Sequence, residues 1–241
     1  MNTGHDLSVL VPVWKRTDNL PRLLTSIDRT VPDAETILVV SRHDTDLAHL
    51  DAVPAISWLG NVHVLTVDGP GGTRGDYSRK INAGYRWTER PYVFTAADDV
   101  EFTDGWFDAC ADQLATSDDV GVVGTNDDCN PRTIAGQHST HSLVARWYAD
   151  KGACVDQDHV VYHEGYWHEY CDDELVQTAM IRGCYAHAFD AVVRHHHPNV
   201  HRANDDATYA RGRQHTRRSR NLYRMRSRLW THGVNLWAST Q

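Results

Sequence analysis

Residues Tyr92 to Phe102 read YVFTAADDVEF. The first five residues, Tyr92 to Ala96, are mostly aromatic, β-branched or small, with no alternation of apolar and charged side chains, as in a strand covered on both faces. The run then stops at two adjacent acids, Asp98 and Asp99, with Glu101 just beyond. Toward the N-terminus the pattern repeats. Leu7 to Val13 (LSVLVPV) and Thr36 to Val40 (TILVV) are buried strands of the same kind, and Val62 to Val67 is a third. Asp18 is expected to cap a helix in which Leu20, Leu23, Leu24 and Ile27 recur at helical spacing, with Pro21 in the first turn, where its missing N–H costs nothing. A helix over about Tyr77 to Thr88 precedes the Tyr92 strand. A helix from Trp106 to Leu114 and a strand from Val120 to Gly124 (VGVVG) follow it. Strands alternating with helices at this spacing predict an α/β fold with a mostly parallel central sheet and right-handed crossovers. Such sheets bind ligands at the carboxyl ends of their strands, so Lys15-Arg16, Ser41 to Asp44, Asp68 to Gly75 and Asp98-Asp99 are the first candidates for function.

The second half is less regular. Gly136 to Arg146 (GQHSTHSLVAR) reads as a polar loop entering a helix. Asp172 to Arg182 reads as a short helix with acids in its first turn, and Ala188 to His197 as a strand ending in three histidines. Arg211 to Trp230 is a basic amphipathic helix with Leu222, Met225 and Leu229 on one face. No linker or repeat divides the chain. The expected organisation is one domain over residues 1–210 with a helical tail, 211–241, packed on it.

Composition narrows the class. The chain has 241 residues, 41% of them hydrophobic, enough for a sizeable core. No apolar run approaches the ~20 residues needed to span a bilayer. Met1 to Asp6 has no basic leader segment, so no signal peptide is expected. Five scattered cysteines without a C-x-x-C pair argue against a zinc site or a disulfide framework and point to the cytoplasm. The net charge of −8 is uneven: eight arginines and no acids follow residue 210, leaving 16 basic against 32 acidic residues before it. A basic tail on an acidic body implies intramolecular pairing or an anionic partner. The sequence pI near 6.0 argues against a dedicated nucleic-acid binder. Arginine far outnumbers lysine, as in GC-rich genomes such as those of actinobacteria and their phages; for a phage protein the compartment would be the host cytoplasm.

Four groups of residues could carry chemistry. Asp98 and Asp99 at a strand end suit a hard divalent cation, although an acidic loop capping the next turn would look the same. In VVRHHHP, strand alternation puts His195 and His197 on one face and His196 on the other; they are either metal ligands or a solvated turn before Pro198. Asp172, Asp173 and Glu174 fit a general base or a helix cap. Gly69 to Gly75 (GPGGTRG) with Arg74, Arg79, Lys80 and Asn82 could cradle phosphate, but no established phosphate-loop spacing is present.

In this order the elements resemble family-2 glycosyltransferases, inverting enzymes of the GT-A, Rossmann-like fold. That family opens on a strand ending in proline, an aromatic and a basic pair; here Val9 to Arg16 reads VLVPVWKR. Its second strand often ends in two acids, whereas Ser41 to Asp46 reads SRHDTD, so the role of the first acid passes to Asp44. Lys80 to Gly84 (KINAG) matches the element before the metal strand. Ala97-Asp98-Asp99 followed by Gly105-Trp106 matches the acidic triplet, with alanine in its first place. Cys171 to Leu175 (CDDEL) matches the base motif, with cysteine replacing its glutamate, and VVRHHHP matches a strand ending in a metal-binding histidine. HSTHSLVAR and HEGYWHEYCDDEL are similar to segments of actinobacterial and phage members.

The resemblance implies a metal-dependent, inverting transfer of a sugar from a nucleotide-diphospho-sugar, a UDP- or GDP-sugar, to an acceptor hydroxyl. Asp99 with His195 or His197 would hold Mn2+ or Mg2+. Pro12, Val13, Arg16, Asp44, Lys80, Asn82 and Asp98 would hold the donor, and Asp172 would be the base. His138 to His141 with Tyr166-Trp167 would line the acceptor side, the acceptor being protein, glycan or modified DNA. Two other functions fit the same sheet: a sugar nucleotidyltransferase, disfavoured by Pro12 to Lys15 where a longer glycine-rich signature is usual, and a catalytically degenerate sugar- or nucleotide-binding module, kept open by Ser41, Ala97 and Cys171.

Overall fold

In the computed structural model, residues 4–44, 46–50, 53, 56, 59–198 and 201–231 are described. The leader reading at Met1 to Thr3 and the last ten residues of the expected tail, 232–241, lie outside the described residues. The strands are β1 (Leu7–Pro12), β2 (Glu35–Ser41), β3 (Val62–Val67), β4 (Tyr92–Thr95), β5 (Val100–Phe102), β6 (Val122–Asn126), β7 (Ser142–Ala145) and β8 (Tyr185–His195). The longer helices are α1 (Leu20–Thr30), α2 (Asp76–Trp87), α3 (Trp106–Leu114), α4 (Cys171–Ile181) and α5 (Ala207–Thr231).

Among the described residues the sheet runs β3-β2-β1-β4-β7-β6-β8-β5. The pairs β1–β2, β1–β4, β2–β3 and β6–β8 are parallel, and β7 and β5 pair antiparallel with their neighbours. This is the mostly parallel α/β sheet that the sequence predicts. Its strands read as continuous apolar runs because both faces are covered. Leu7, Val9 and Val11 point into a core with α1 and α3, while Leu10, Ile37 and Val93 point into a second core with α2 and α4. In the first core Phe94, Phe102 and Trp106 pack with ring centroids 4.5–5.3 Å apart. In the second, α2 lies close on β1 at Gly84, where a Cβ would meet Leu10 at 3.0 Å.

Several expectations need correction. Asp18 lies in a 3-10 turn, Thr17–Asn19; α1 starts after Asn19 with no side-chain cap, and Pro21 alone of the expected start signals is in place. The segment read as a polar loop contains β7, a four-residue strand fully buried between β4 and β6. β5, only three residues long, has no periodicity to reveal it. The fifth predicted strand lies two residues later than expected. The buried residues of α5 are Ser219, Arg226 and Trp230, with Leu222 and Tyr223 partly covered, whereas Met225 and Leu229 are exposed. The helix turns an arginine inward because Arg226 meets two acids. Its guanidinium donates to Glu174 Oε1 and Oε2 at 2.7 and 2.8 Å and to Asp156 at 2.7 and 3.0 Å.

Glu174 is 2% exposed and also accepts from the Tyr166 hydroxyl at 2.7 Å. The ion pair thus ties α5 to α4. Breaking a buried pair from one side leaves an uncompensated charge, which typically costs about 3–5 kcal/mol. Arg226→Ala is expected to lower the urea-unfolding free energy by that amount. A loss under about 1 kcal/mol, the scale of a solvent-screened surface pair, would contradict it.

Candidate active site

The carboxyl ends of β1, β4 and β8 converge on Asp98 and Asp99, each 3% exposed. Two adjacent buried carboxylates repel each other and need compensation. It arrives from three distant segments. Arg16, just after β1, places its guanidinium nitrogens 3.2 Å from Asp98 Oδ1 and 3.0 Å from Asp99 Oδ2. The pairing of Val100 with His195 across β5 and β8 brings His195 Nε2 to 3.4 Å from Asp99 Oδ1. Tyr209, in the first turn of α5, donates its hydroxyl to Asp99 Oδ2 at 2.8 Å, and its ring lies under the Arg16 guanidinium at 4.5 Å. Burial pushes the Asp98 carboxyl up, against the pull of Arg16. Burial also opposes ionisation of Asp99, but His195, Arg16 and the Tyr209 hydroxyl outweigh it and hold that carboxyl well below the usual range.

The histidine run behaves as alternation predicts. The rings of His195 and His197 are 5.1 Å apart on one side, and His196 turns away to Glu101 at 2.9 Å. Oδ1 of Asp98 and Oδ1 of Asp99 are buried and accept no hydrogen bond. Such oxygens beside an imidazole fit a divalent cation of the Mn2+ or Mg2+ kind.

Asp99 shares a cleft of about 590 Å³ with Asp172, Asp173, His138, His141, His195 and His197. Asp172 and Asp173 open α4, after Tyr170 in a left-handed conformation. His138, 4% exposed, stands between them, its Nε2 3.3 Å from Asp172 Oδ2 and its Nδ1 3.8 Å from Asp173 Oδ1. Arg132 holds Asp173 at 2.9 Å. The ligating atoms of His138, Asp172 and Asp173 lie within 4.8 Å of one another, a second grouping able to take a cation. Burial works against the His138 imidazolium, but Asp172 and then Asp173 outweigh it and raise its pKa; Asp172, paired with His138, is held low despite its own burial.

A second cavity adjoins the cleft and shares Arg16, Tyr77, Ala97 and His168 with it. Pro12, Trp14, Lys80, Asp98, Trp167 and Arg211 also line it. Of the expected donor residues, Pro12, Arg16, Lys80 and Asp98 therefore face one space. Lys80, fully buried, donates to the Val13 carbonyl at 2.8 Å and to Asp76 at 3.1 Å, so Val13 enters through its backbone. Asp44 lines neither cavity; its carboxylate accepts from the Gly71 N–H at 3.0 Å and fixes the glycine loop. That loop packs on Trp14: at Gly72, with φ of +64°, a Cβ would meet the indole at 2.2 Å. Asn82 also acts at one remove. Its Oδ1 accepts from the N–H of Val161 and Tyr162 at 2.9 and 3.0 Å, and its Nδ2 donates to the Tyr162 carbonyl and Glu164 at 2.8 and 3.0 Å. The amide is saturated and shapes the loop over the cavity. Tyr209 and Arg132 are site residues that the sequence reading missed; an isolated tyrosine or arginine carries no motif.

The fold, with acids at the mouth of β4 and a second acidic group across the cleft, defines the GT-A class of glycosyltransferases. The model of "Glycosyl transferase family 2" matches residues 8–193, and the chain belongs to that family. No curated protein sequence matches the chain. Among solved structures, residues 1–349 of S. aureus TarS in complex with UDP superpose with a TM-score of 0.58 at 15% identity, covering 78% of this chain and 59% of that one. The mannosyltransferase PcManGT from Pyrobaculum calidifontis, in complex with GDP-Man and Mn2+, gives a TM-score of 0.60 at 14% identity over 95% of this chain and 70% of that one. Glucosyl-3-phosphoglycerate synthase from Mycobacterium tuberculosis gives 0.55 at 13% over 91% and 79%. These likenesses are of fold. No helix among the described residues is long and apolar enough to cross a membrane.

The raised pKa of His138 has a testable consequence. A group whose folded pKa exceeds its unfolded value stabilises the fold below the unfolded pKa, about 6.5 for histidine, and loses that contribution as pH rises through the folded value. In EDTA buffer, His138→Asn is expected to cost more unfolding free energy at pH 6 than at pH 9. An equal cost at both pH values would mean that the imidazolium does not pair with the acids.

Proposed function

We propose that the protein transfers a sugar from a UDP- or GDP-sugar to an acceptor hydroxyl, with inversion at the anomeric carbon, in a reaction that uses Mn2+ or Mg2+. One observation carries this reading: Asp99 and Asp172 face the same cleft from opposite elements. Asp99, His195 and His197 would hold the cation, which when bound offsets the charge of a departing diphosphate. Pro12, Val13, Arg16, Lys80 and Asp98 surround the donor directly, and Asp44 and Asn82 hold the loops around it. Asp172 takes the proton of the attacking hydroxyl, and His138 holds its carboxylate in place. The acceptor is a protein, a glycan or a modified DNA base. Binding of UDP by TarS, and of GDP-Man with Mn2+ by the mannosyltransferase, supports the choice of donors and metal. The donor and acceptor sites belong to the 1–210 body, which the 211–241 tail completes from one side.

Mixing the protein with UDP- and GDP-sugars and Mn2+ is expected to release nucleoside diphosphate. Pyrophosphate formed from a nucleoside triphosphate and a sugar phosphate would point instead to a nucleotidyltransferase, and binding without turnover to a degenerate module. General-base catalysis is typically worth about 10²- to 10⁴-fold, so Asp172→Asn is expected to lower kcat by that factor with donor KM little changed. Asp99→Ala is expected to abolish metal-dependent turnover. Full activity in EDTA or in the Asp99 variant would remove the metal role.

A further inference from the structure

His141 stands apart from the groups assigned so far. It is 4% exposed and lines the cleft shared by Asp99, His195 and His197. Its Nδ1 lies 2.9 Å from the Thr95 carbonyl, the last residue of β4. A carbonyl only accepts, so Nδ1 carries the proton. In the neutral ring Nε2 is then a bare lone pair, and this atom is buried with no hydrogen-bond partner. An imidazolium would leave a buried N–H in the same place with nothing to receive it. Either way the site leaves a polar atom unsatisfied, which folded proteins seldom tolerate without a ligand.

The surroundings indicate the ligand. The His141 ring meets His195 edge-on at 5.3 Å, and His195 in turn meets His197 at 5.1 Å and Asp99 at 3.4 Å. Metal-bound histidines usually donate their second ring N–H to a carbonyl or carboxylate, which fixes the tautomer and aims the lone pair. The Thr95 carbonyl does this for His141. The residue is also held rigidly: its own carbonyl accepts from the Thr125 hydroxyl at 2.7 Å and the Ser139 hydroxyl at 2.6 Å, and the next residue, Ser142, donates its N–H to Thr95 Oγ1 at 3.1 Å.

We infer that His141 is a further ligand of the cation held at Asp99, so that the ion sits among imidazoles rather than in an all-oxygen site. This rests on the transferase reading only for the presence of an ion there. A site rich in imidazole suits Mn2+, Co2+ or Zn2+ better than Mg2+, which prefers oxygen. His141, read from the sequence as part of the acceptor side, then belongs to the donor side of the cleft.

Titration of the free protein with Mn2+ alone, followed by loss of the free-ion signal in electron paramagnetic resonance, tests the assignment without turnover. His141→Asn keeps a side-chain N–H for the Thr95 carbonyl and removes the lone pair. It is expected to weaken Mn2+ binding by at least about tenfold, with an unchanged unfolding midpoint in EDTA. His138→Asn is expected to bind as the wild type does, and Mg2+ to compete poorly. Pulsed measurement of nitrogen couplings on Mn2+ bound to the wild type gives a readout that requires no variant: couplings from three imidazoles are expected. Wild-type affinity in the His141 variant, loss of binding on changing His138, couplings from two imidazoles or fewer, or no binding by the wild type would each overturn the inference. Release of nucleoside diphosphate from a sugar donor, assayed separately, tests the transferase reading.

Discussion

Burying Asp98 and Asp99 side by side at the end of β4 is the constraint around which the molecule is arranged. Neither carboxylate reaches water, and each raises the cost of ionising the other. The fold offsets this with Arg16 from the β1 loop, His195 from the end of β8 and the Tyr209 hydroxyl from α5. These segments are far apart in the chain, so the acids can be satisfied only when the sheet, its last strand and the C-terminal helix are all in place. The same arrangement leaves one oxygen of each carboxylate without a hydrogen bond. A site that is charged, dry and incompletely satisfied is prepared for a cation and the anion that travels with it.

The C-terminal helix accordingly belongs to the site. Arg211 lies over the Trp14 ring at 5.8 Å, His215 stacks on Trp167 at 3.6 Å, and Ser219 accepts from the Trp167 N–H at 3.1 Å. Several of its arginines meet the acidic body: Arg226 with Glu174 and Asp156, and Arg213 with Asp205 at 2.6 Å. Of the two explanations for a basic tail on an acidic chain, intramolecular pairing is the one these contacts support. Covering one side of both cavities, the helix sets what enters them.

Much of this was legible in the sequence, for physical reasons that also mark where legibility ended. β1, β2 and β4 are buried on both faces, and their apolar runs admit few other readings. α2 and α3 carry enough turns for helical periodicity to show. The acids of β4 and α4 and the histidines of β8 stood out because charge at a strand or helix end is easily seen. β5 and β7 are too short for any period, and their places in the sheet come from long-range pairing. The inward face of α5 was misread because its central residue is an arginine, whose burial depends on two acids that no local pattern connects to it. Asn82 was seen as a ligand residue, yet its amide is spent on a loop about 80 positions away. His141 looked like any polar loop residue until the Thr95 carbonyl fixed its tautomer.

The central claim is that a cation and a diphosphate meet at Asp99, between the donor cavity and the base. The most direct measurement is anomalous diffraction from crystals grown with Mn2+ and UDP or GDP. The account predicts a single manganese peak in contact with Asp99 and with the diphosphate oxygens, with Asp172 across the cleft. A manganese peak at His138, Asp172 and Asp173, with Asp99 still closed by Arg16 and Tyr209, would contradict it.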